Sequence, residues 1–387
     1  MKIAVLKERR RHERRIAATP DAVKRYIALG AEIAVETGAG AAASFDDDSF
    51  QLTGAAIAAD AASAMNGADV VLKVQRPMLA GEGEVDELAL FADGQALVAM
   101  LNPLIERDAV AAYAQAGVTA FAMELMPRIT RAQSMDVLSS QANLAGYKSV
   151  LDACEVFDRA MPMMMTAAGT VAPARVLVMG AGVAGLQAIA TARRLGAIVS
   201  ATDVRPAAKE QVESLGANFV MVEDEESKQA ETAGGYAREM SDAYKAKQAA
   251  LIAETIKKQD IVICTALIPG RQAPTLITGD MVASMKPGSV IVDLAIDNGG
   301  NCTASVGGEI AHVEGVRVVA HYNVPSRLAI DASSLYARNL VNFLTPCFDK
   351  DSGGFAFNWS DELINGTCVA RGGKVVHPML TGEAEGD

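Results

Sequence analysis

Short apolar runs alternate with amphipathic stretches along the first third of the chain. Residues 3–6 form a strand candidate, and Thr19-Pro20 then supplies an N-cap and an N1 proline for a helix that stops at Gly30. Residues 33–35, 69–74, 95–100 and 118–123 repeat the strand pattern around a helical segment at 106–116. This alternation predicts a mostly parallel sheet covered by helices. Residues 81–87 (GEGEVDE) carry no periodicity and predict an exposed loop. From 134 to 160 apolar positions recur at helical spacing, as in Val137, Leu138, Leu144, Tyr147, Val150 and Leu151, which predicts one long helix. The methionines that follow, Met161, Met163, Met164 and Met165, read as adaptable core packing.

The second half opens with an apolar strand at 175–179 that runs directly into GAGVAG at 180–185, after which LQAIATARRLG has helical periodicity up to Gly196. Further strands are predicted at 198–202, 218–222, 260–265, 289–294 and 317–320, with helical segments between them. The order fits a complete doubly wound unit. Residues 223–244 are acidic, bear two glycines and are too polar for a core, so a loop or lid is expected there. A helix near 331–343 and a polar, mobile tail are expected to close the chain.

Charge and rare residues narrow the chemistry. Lys and Arg number 35 against 47 Asp and Glu, a net charge of -12, which excludes a nucleic-acid binder. Polar residues interrupt every apolar run before the roughly 18 to 20 residues a bilayer requires. MKIAVLKERRRHERR has no apolar core and no cleavage site, so a cytoplasmic location is expected. Cys154, Cys264, Cys302, Cys347 and Cys368 are scattered and unpaired in sequence, as free thiols are. His12, His312, His321 and His377 show no ligand spacing, and no metal is expected. With neither a G-x-S-x-G nor a P-loop pattern, the chemistry is expected to come from a bound cofactor.

GAGVAG has the context that a dinucleotide fingerprint needs, with a strand before it, a helix after it, and Asp203 at the end of the next strand, 18 residues past the last glycine. Gly180 allows the tight turn, Gly182 lets backbone approach a pyrophosphate, and Gly185 lets the helix pack on the strand. The helix N-terminus offers unpaired N–H groups to the phosphates. Asp203 suits the adenosine ribose hydroxyls and repels a 2′-phosphate, which favours NAD; Arg205, two residues on, keeps NADP open as an alternative.

Lys7-Glu8-Arg9, Glu13, Arg14, Thr19-Pro20 and KVQRP at 73–77 resemble the shared segments of the alanine dehydrogenase and transhydrogenase superfamily. MELMPRITRAQSMDVLSSQ at 123–141 resembles its proton-translocating NAD(P) transhydrogenase branch. The likeness continues through TDVRPAAKEQVESLGA, AETAGGYA, TALIPGR, MKPGSVIVDLA, GGNC, NVPSR and NGTCV, and so covers the whole chain. The resemblance implies the NAD(H)-binding component of that enzyme, with NADP(H) held on a separate partner subunit.

For the site, the resemblance implies that Arg128, Gln133, Asp136 and Ser139 surround the nicotinamide as the catalytic set, with Ile129, Thr130 and Arg131 beside them. It implies further nucleotide contacts from Gly180, Gly182, Val183, Gly185, Asp203, Val204, Arg205, Gly235, Tyr236, Gln248 and Leu267. Asp136 and Ser139 would pair with the carboxamide, and Gly235 and Tyr236 belong to a segment expected to close over nucleotide. A purely structural role is also open, with Thr130 or Ser134 as a helix N-cap and Asp136 in the first turn.

The expected fold is α/β, with two Rossmann-like domains, mostly parallel sheets, long helices joining them and the cofactor in the cleft between. Residues 1–140 plus 326–387 are expected to form a discontinuous domain and 141–325 the NAD(H)-binding domain. The resemblance further implies a homodimer and membrane-spanning partner subunits. In relatives with a fused chain membrane helices follow this region, whereas this sequence stops at Asp387, so a peripheral subunit on the cytoplasmic face of the inner membrane is expected. Two other functions compete. An alanine dehydrogenase-like enzyme would use Lys73 and Arg14, which survive here, but also a histidine where this chain has Met100-Leu101-Asn102-Pro103. A nonenzymatic NAD-sensing module would not need the nicotinamide-side segment.

Overall fold

The computed structural model describes residues 1–205, 207–222, 241–268, 270–349 and 354–382. The chain divides into two compact units, one of Met1–Gln141 with Ser326–Asp387 and the other of Ala142–Pro325.

The first unit holds strands β1 (Lys2–Val5), β2 (Glu32–Glu36), β3 (Ala56–Ala58), β4 (Val70–Gln75), β5 (Ala96–Met100), β6 (Thr119–Ala122), β16 (Cys368–Arg371) and β17 (Lys374–Val375). They form one sheet in the order β17-β16-β6-β5-β4-β1-β2-β3. β1 to β6 pair in parallel, while β16 joins β6 antiparallel. Helices cover both faces of a parallel sheet, so its strands bury nearly every residue; all but the last residues of β4 and β5 are buried. Helix Pro20–Ala28 packs through Ala22, Val23 and Tyr26, starting at its N1 proline, although the Thr19 hydroxyl makes no capping bond. Helix Ala329–Leu344 returns the chain to this unit and buries Tyr336, Leu340 and Phe343 in the same core.

The second unit contains β9 (Arg175–Met179), β10 (Ile198–Thr202), β11 (Asn218–Phe219), β12 (Ile261–Cys264), β13 (Val290–Asp293), β14 (Ile310–Val313) and β15 (Val316–Val319). Their order is β11-β10-β9-β12-β13-β15-β14, parallel except for β14 on the edge. The strand order reverses between β9 and β12, the point at which open parallel sheets take ligands beyond the carboxyl ends of their strands.

Several expectations are corrected. The long helix runs Val137–Val156 behind a 3₁₀ turn at Thr130–Met135. Its N-cap is Asp136, not Thr130 or Ser134, because the Asp136 carboxylate accepts the Ser139 N–H at 2.8 Å. Among the methionines only Met161 is core. Met163, Met164 and Met165 are 60, 43 and 79% exposed on or beside a hairpin, β7 (Met164–Thr166) with β8 (Gly169–Val171). Apolar composition cannot distinguish a core strand from a hairpin that stands clear of the core. The loop at 81–87 is exposed at its glycines but ends on Glu87, which is fully buried. Residues 223–240 of the expected lid lie outside the described residues. Its last residues begin helix Asp242–Ile256, capped by Ser241 and anchored by buried Tyr244. Most of the terminal tail also lies outside the described residues.

Candidate functional site

In the second unit the glycine loop stands at the carboxyl end of β9, beside the strand-order reversal. Gly180 has φ +99, and a Cβ there would lie 2.6 Å from the Thr265 Oγ1, so the left-handed turn and the close approach both demand glycine. A Cβ on Gly185 would lie 1.8 Å from the Gly180 carbonyl oxygen, which seats helix Val183–Arg194 against the strand. Gly182 differs from both. A Cβ there meets nothing within 4 Å, so its backbone faces open space at the helix N-terminus, and Val183 beside it is 40% exposed. A bare backbone ringed by unpaired helix N–H groups fits the pyrophosphate of a dinucleotide.

Asp203, just past β10, reaches back to this loop. Its carboxylate accepts the Ala181 N–H at 2.7 Å and the Arg205 N–H at 2.8 Å. The Arg205 guanidinium forks onto it, Nε to Oδ1 and Nη2 to Oδ2, each at 3.0 Å. Arg205 is thus committed to Asp203 rather than extended toward a 2′-phosphate. Val204 between them is half-buried, and so is Gln248 on helix Asp242–Ile256. Gly235 and Tyr236 lie outside the described residues.

Across the strand-order reversal from the loop, the segment after β12 is held by contacts that the sequence reading missed. Thr265 donates its N–H to the Met179 carbonyl at 2.8 Å and its hydroxyl to the Gly180 carbonyl at 3.0 Å. Ala266 is gripped by the side-chain amide of buried Asn301. Buried Asp293 accepts the N–H groups of Ala295, Asn301 and Cys302 and the Ser305 hydroxyl. Leu267 and Ile268 project from this tied segment, 53 and 43% exposed.

In the first unit, residues 128–139 run from an extended Ile129 through the 3₁₀ turn into helix Val137–Val156. Arg128, Thr130 and Gln133 are exposed, and Ile129 is half-buried against the core. Arg131 makes a bidentate pair with Asp361 at 2.7 and 2.8 Å, which holds the Asp361 carboxyl below its usual range. Asp361 in turn caps helix Glu362–Thr367. The Ser139 hydroxyl donates to the Asp136 carboxylate at 2.5 Å. The cap therefore falls on Asp136 in place of the expected Thr130 or Ser134, and Asp136 with Ser139 is also the pair that the resemblance assigns to the carboxamide.

The first sheet has its own strand-order reversal, between β1 and β4, and this one is filled by charge. Lys73 is 1% exposed and lies 3.0 Å from Glu87 and 3.6 Å from Glu8. The Glu8 carboxylate also accepts the Val74 N–H at 2.6 Å. Half-buried Arg9 pairs with Glu36 and Glu87, and fully buried Arg15 pairs with Glu13 at 2.7 Å and donates to Gln141 at 2.8 Å. Arg14 is exposed instead, its backbone N–H donating to the Ser326 hydroxyl at 2.6 Å. Burial pushes the Glu8 carboxyl up to about 7 against the pull of Lys73. At the corner after β5 the Leu101 and Asn102 N–H groups both donate to Glu124 Oε1, with Asn102 at φ +51. Burial raises this carboxyl to about 7, and Oε2 has no hydrogen-bond partner among the described residues.

Residues 4–145 match the N-terminal domain and residues 149–378 the C-terminal domain of alanine dehydrogenase/PNT. The chain belongs to the alanine dehydrogenase/PNT family. It is 59% identical over 383 residues to an NAD(P) transhydrogenase alpha-subunit chain of Rhodospirillum rubrum, covering 99% of this chain and 100% of that one. The crystal structure of transhydrogenase from Sinorhizobium meliloti superposes with a TM-score of 0.86 at 52% identity, covering 97% of this chain and 100% of that one. The alanine dehydrogenase of Halomonas elongata is 30% identical, over 98% of this chain and 95% of the relative. Both branches of the alanine dehydrogenase/PNT family thus share the architecture, and the higher identity lies with the transhydrogenase subunits. Within this family fold, one strand-order reversal is open and glycine-lined while the other is closed by the chain's own ions.

Proposed function

We propose that this chain is the NAD(H)-binding subunit of a proton-translocating NAD(P) transhydrogenase. The observation that carries the proposal is the glycine loop, where Gly180 and Gly185 close the turn and Gly182 leaves backbone bare at a helix N-terminus next to Asp203. These residues fit a dinucleotide. Bound NADH supplies a hydride to NADP held on the separate partner subunit. The helix N-terminus holds the pyrophosphate, and Asp203 takes the adenosine ribose. Arg128, Gln133, Asp136 and Ser139 orient the nicotinamide end, with Asp136 and Ser139 facing the carboxamide as a mutually hydrogen-bonded pair. Exchange between two nicotinamides consumes no proton at the reacting carbons, so positioning and exclusion of water carry the rate.

Of the two cations that the alanine dehydrogenase alternative would use for a substrate carboxylate, Lys73 is buried against Glu87 at 3.0 Å and Glu8 at 3.6 Å, which leaves Arg14 alone on the surface. A histidine is also missing at the corner that Asn102 occupies. Among the described residues no helix is long and apolar enough to cross a membrane, so proton movement falls to membrane-spanning partner subunits. The homodimer has support in the exposed methionine hairpin, since an apolar arm standing clear of the core suits a second copy of the chain.

The test mixes the purified chain with an NADP(H)-binding partner subunit and follows hydride exchange between NADH and an oxidised NADP analogue. Exchange that needs both proteins is expected. Rapid NADH oxidation by the chain alone with pyruvate and ammonia would overturn the proposal in favour of a dehydrogenase. Binding of both nucleotides without exchange would favour a sensing module.

A further inference from the structure

We infer that Asn301 is a positioning residue of the nucleotide site, acting through Leu267 and Ile268. The inference rests on the NAD(H) proposal and on the nucleotide contact expected of Leu267, and adds to them Ile268 and the residue that holds both in place. Exposed aliphatic side chains are ordinary on a loop that is free to move. Here the two residues that lead into them, Thr265 and Ala266, are both tied down, and the Ile268 carbonyl accepts the Arg271 N–H at 3.2 Å. Thr265 is bound to β9 and the glycine loop through its N–H and its hydroxyl. The Asn301 amide then accepts the Ala266 N–H at 3.1 Å, donates to the Ala266 carbonyl at 2.9 Å, and spends its second hydrogen on the Pro274 carbonyl at 2.8 Å.

Asn301 is fully buried, and its own place is set by the Asp293 carboxylate, which accepts its backbone N–H at 2.9 Å while Gly299 and Gly300, at φ +97 and +82, turn the chain back toward it. No other side chain of this size fills the position. Aspartate lacks both donors and would stand as a second carboxylate near Asp293. Leucine has the volume, but leaves the Ala266 N–H, the Ala266 carbonyl and the Pro274 carbonyl without their partner. The outcome of so complete a clamp is a fixed place for two exposed apolar side chains beside the turn that seats a pyrophosphate. Leu267 and Ile268 therefore form a rigid apolar shelf against which the bound nucleotide packs, and Asn301 sets its position relative to Gly180.

The test is a double-mutant cycle on the full chain, read by NADH fluorescence titration and by thermal unfolding. Leu267→Ala should weaken NADH binding by about tenfold, the loss of one apolar contact, without lowering the melting temperature. Asn301→Ala should weaken binding by a similar factor, and the double variant should lose clearly less than the product of the two single losses, because the clamp acts through the shelf and only the Ile268 contact is left for it to disturb. Multiplying losses in the double variant, or wild-type affinity in Asn301→Ala, would overturn the inference. If Asn301→Ala fails to fold, the exposed Leu267→Ala and Ile268→Ala variants still decide, since wild-type affinity in both removes the shelf. Asp203→Ala separates this failure from that of the underlying proposal. If it too binds NADH like wild type, the whole site is misplaced; if it loses affinity while the cycle multiplies, only the role of Asn301 falls.

Discussion

At the scale of single residues, Asp203 is the group whose surroundings say most about nucleotide choice. A carboxylate has about four lone-pair sites, and here four donors meet them, two backbone N–H groups and two guanidinium N–H groups. The backbone donors belong to turns and stay in place, so a ribose diol must displace or share the Arg205 fork. The same fork ties up the cation that would otherwise greet a 2′-phosphate. Asp203→Ala removes the ribose acceptor and releases Arg205 together. NADH affinity should fall by about tenfold, as expected of a hydrogen bond to a charged group, and NADPH affinity should rise relative to it. Titration of both nucleotides against the isolated chain checks this, and an unchanged NADH to NADPH affinity ratio would contradict it.

At the scale of elements, the strand-loop-helix unit from β9 to helix Val183–Arg194 separates stability from binding in adjacent glycines. Gly182→Ala places a methyl where nothing lies within 4 Å, at an ordinary φ of -77, so the fold should keep its stability while the methyl blocks the approach of a pyrophosphate. Gly185→Ala drives a methyl onto the Gly180 carbonyl and must push the helix off the strand, at a cost of about 1–3 kcal/mol. Denaturant unfolding and NADH titration of the two variants should therefore diverge: loss of binding with an unchanged midpoint for Gly182→Ala, loss of both for Gly185→Ala. This unit was legible in the sequence because the positive φ of Gly180 and the contact of Gly185 with the Gly180 carbonyl are local needs, whereas the approach of Thr265 to Gly180 comes from 85 residues away and was not readable. Asn301 was not, because it meets Ala266 across 35 residues of chain and only the parallel sheet brings the two together. Asp136 was half legible. Its place in the first turn was readable, but the start of the helix at Val137 makes it the cap, and that start depends on the preceding 3₁₀ turn. The hairpin that carries Met164 and Met165 could not be read from composition, since apolar residues signal burial without saying against what.

At the scale of the whole molecule, the distribution of perturbed carboxyls sets how stability depends on pH. Glu8 and Glu124, both in the unit of Met1–Gln141 and Ser326–Asp387, are raised from 4.5 to about 7 by burial. Below 4.5 each is protonated whether the chain is folded or not, and contributes no slope. Between 4.5 and about 7 the unfolded chain has released these protons while the folded chain keeps them, so unfolding releases protons and rising pH favours it. Each group then removes about 3 kcal/mol across that window, and the loss levels off above it. Asp60, Glu82, Glu254 and Asp361 are lowered by their hydrogen-bond partners and act in the opposite sense, adding stability that is lost as acid protonates them. Maximum stability should therefore lie on the mildly acidic side of neutrality. Glu124→Gln keeps an acceptor for the Leu101 and Asn102 N–H groups but has no proton to release. Urea unfolding at pH 5, 6, 7 and 8 should show wild type losing stability up to about pH 7 and levelling off toward pH 8, and the variant losing about 2–3 kcal/mol less over the same interval. The remaining decline belongs to Glu8. Parallel curves for the two proteins would mean that Glu124 is ionised in the folded chain at neutral pH, and that the corner at Asn102 is held by a carboxylate rather than a carboxylic acid.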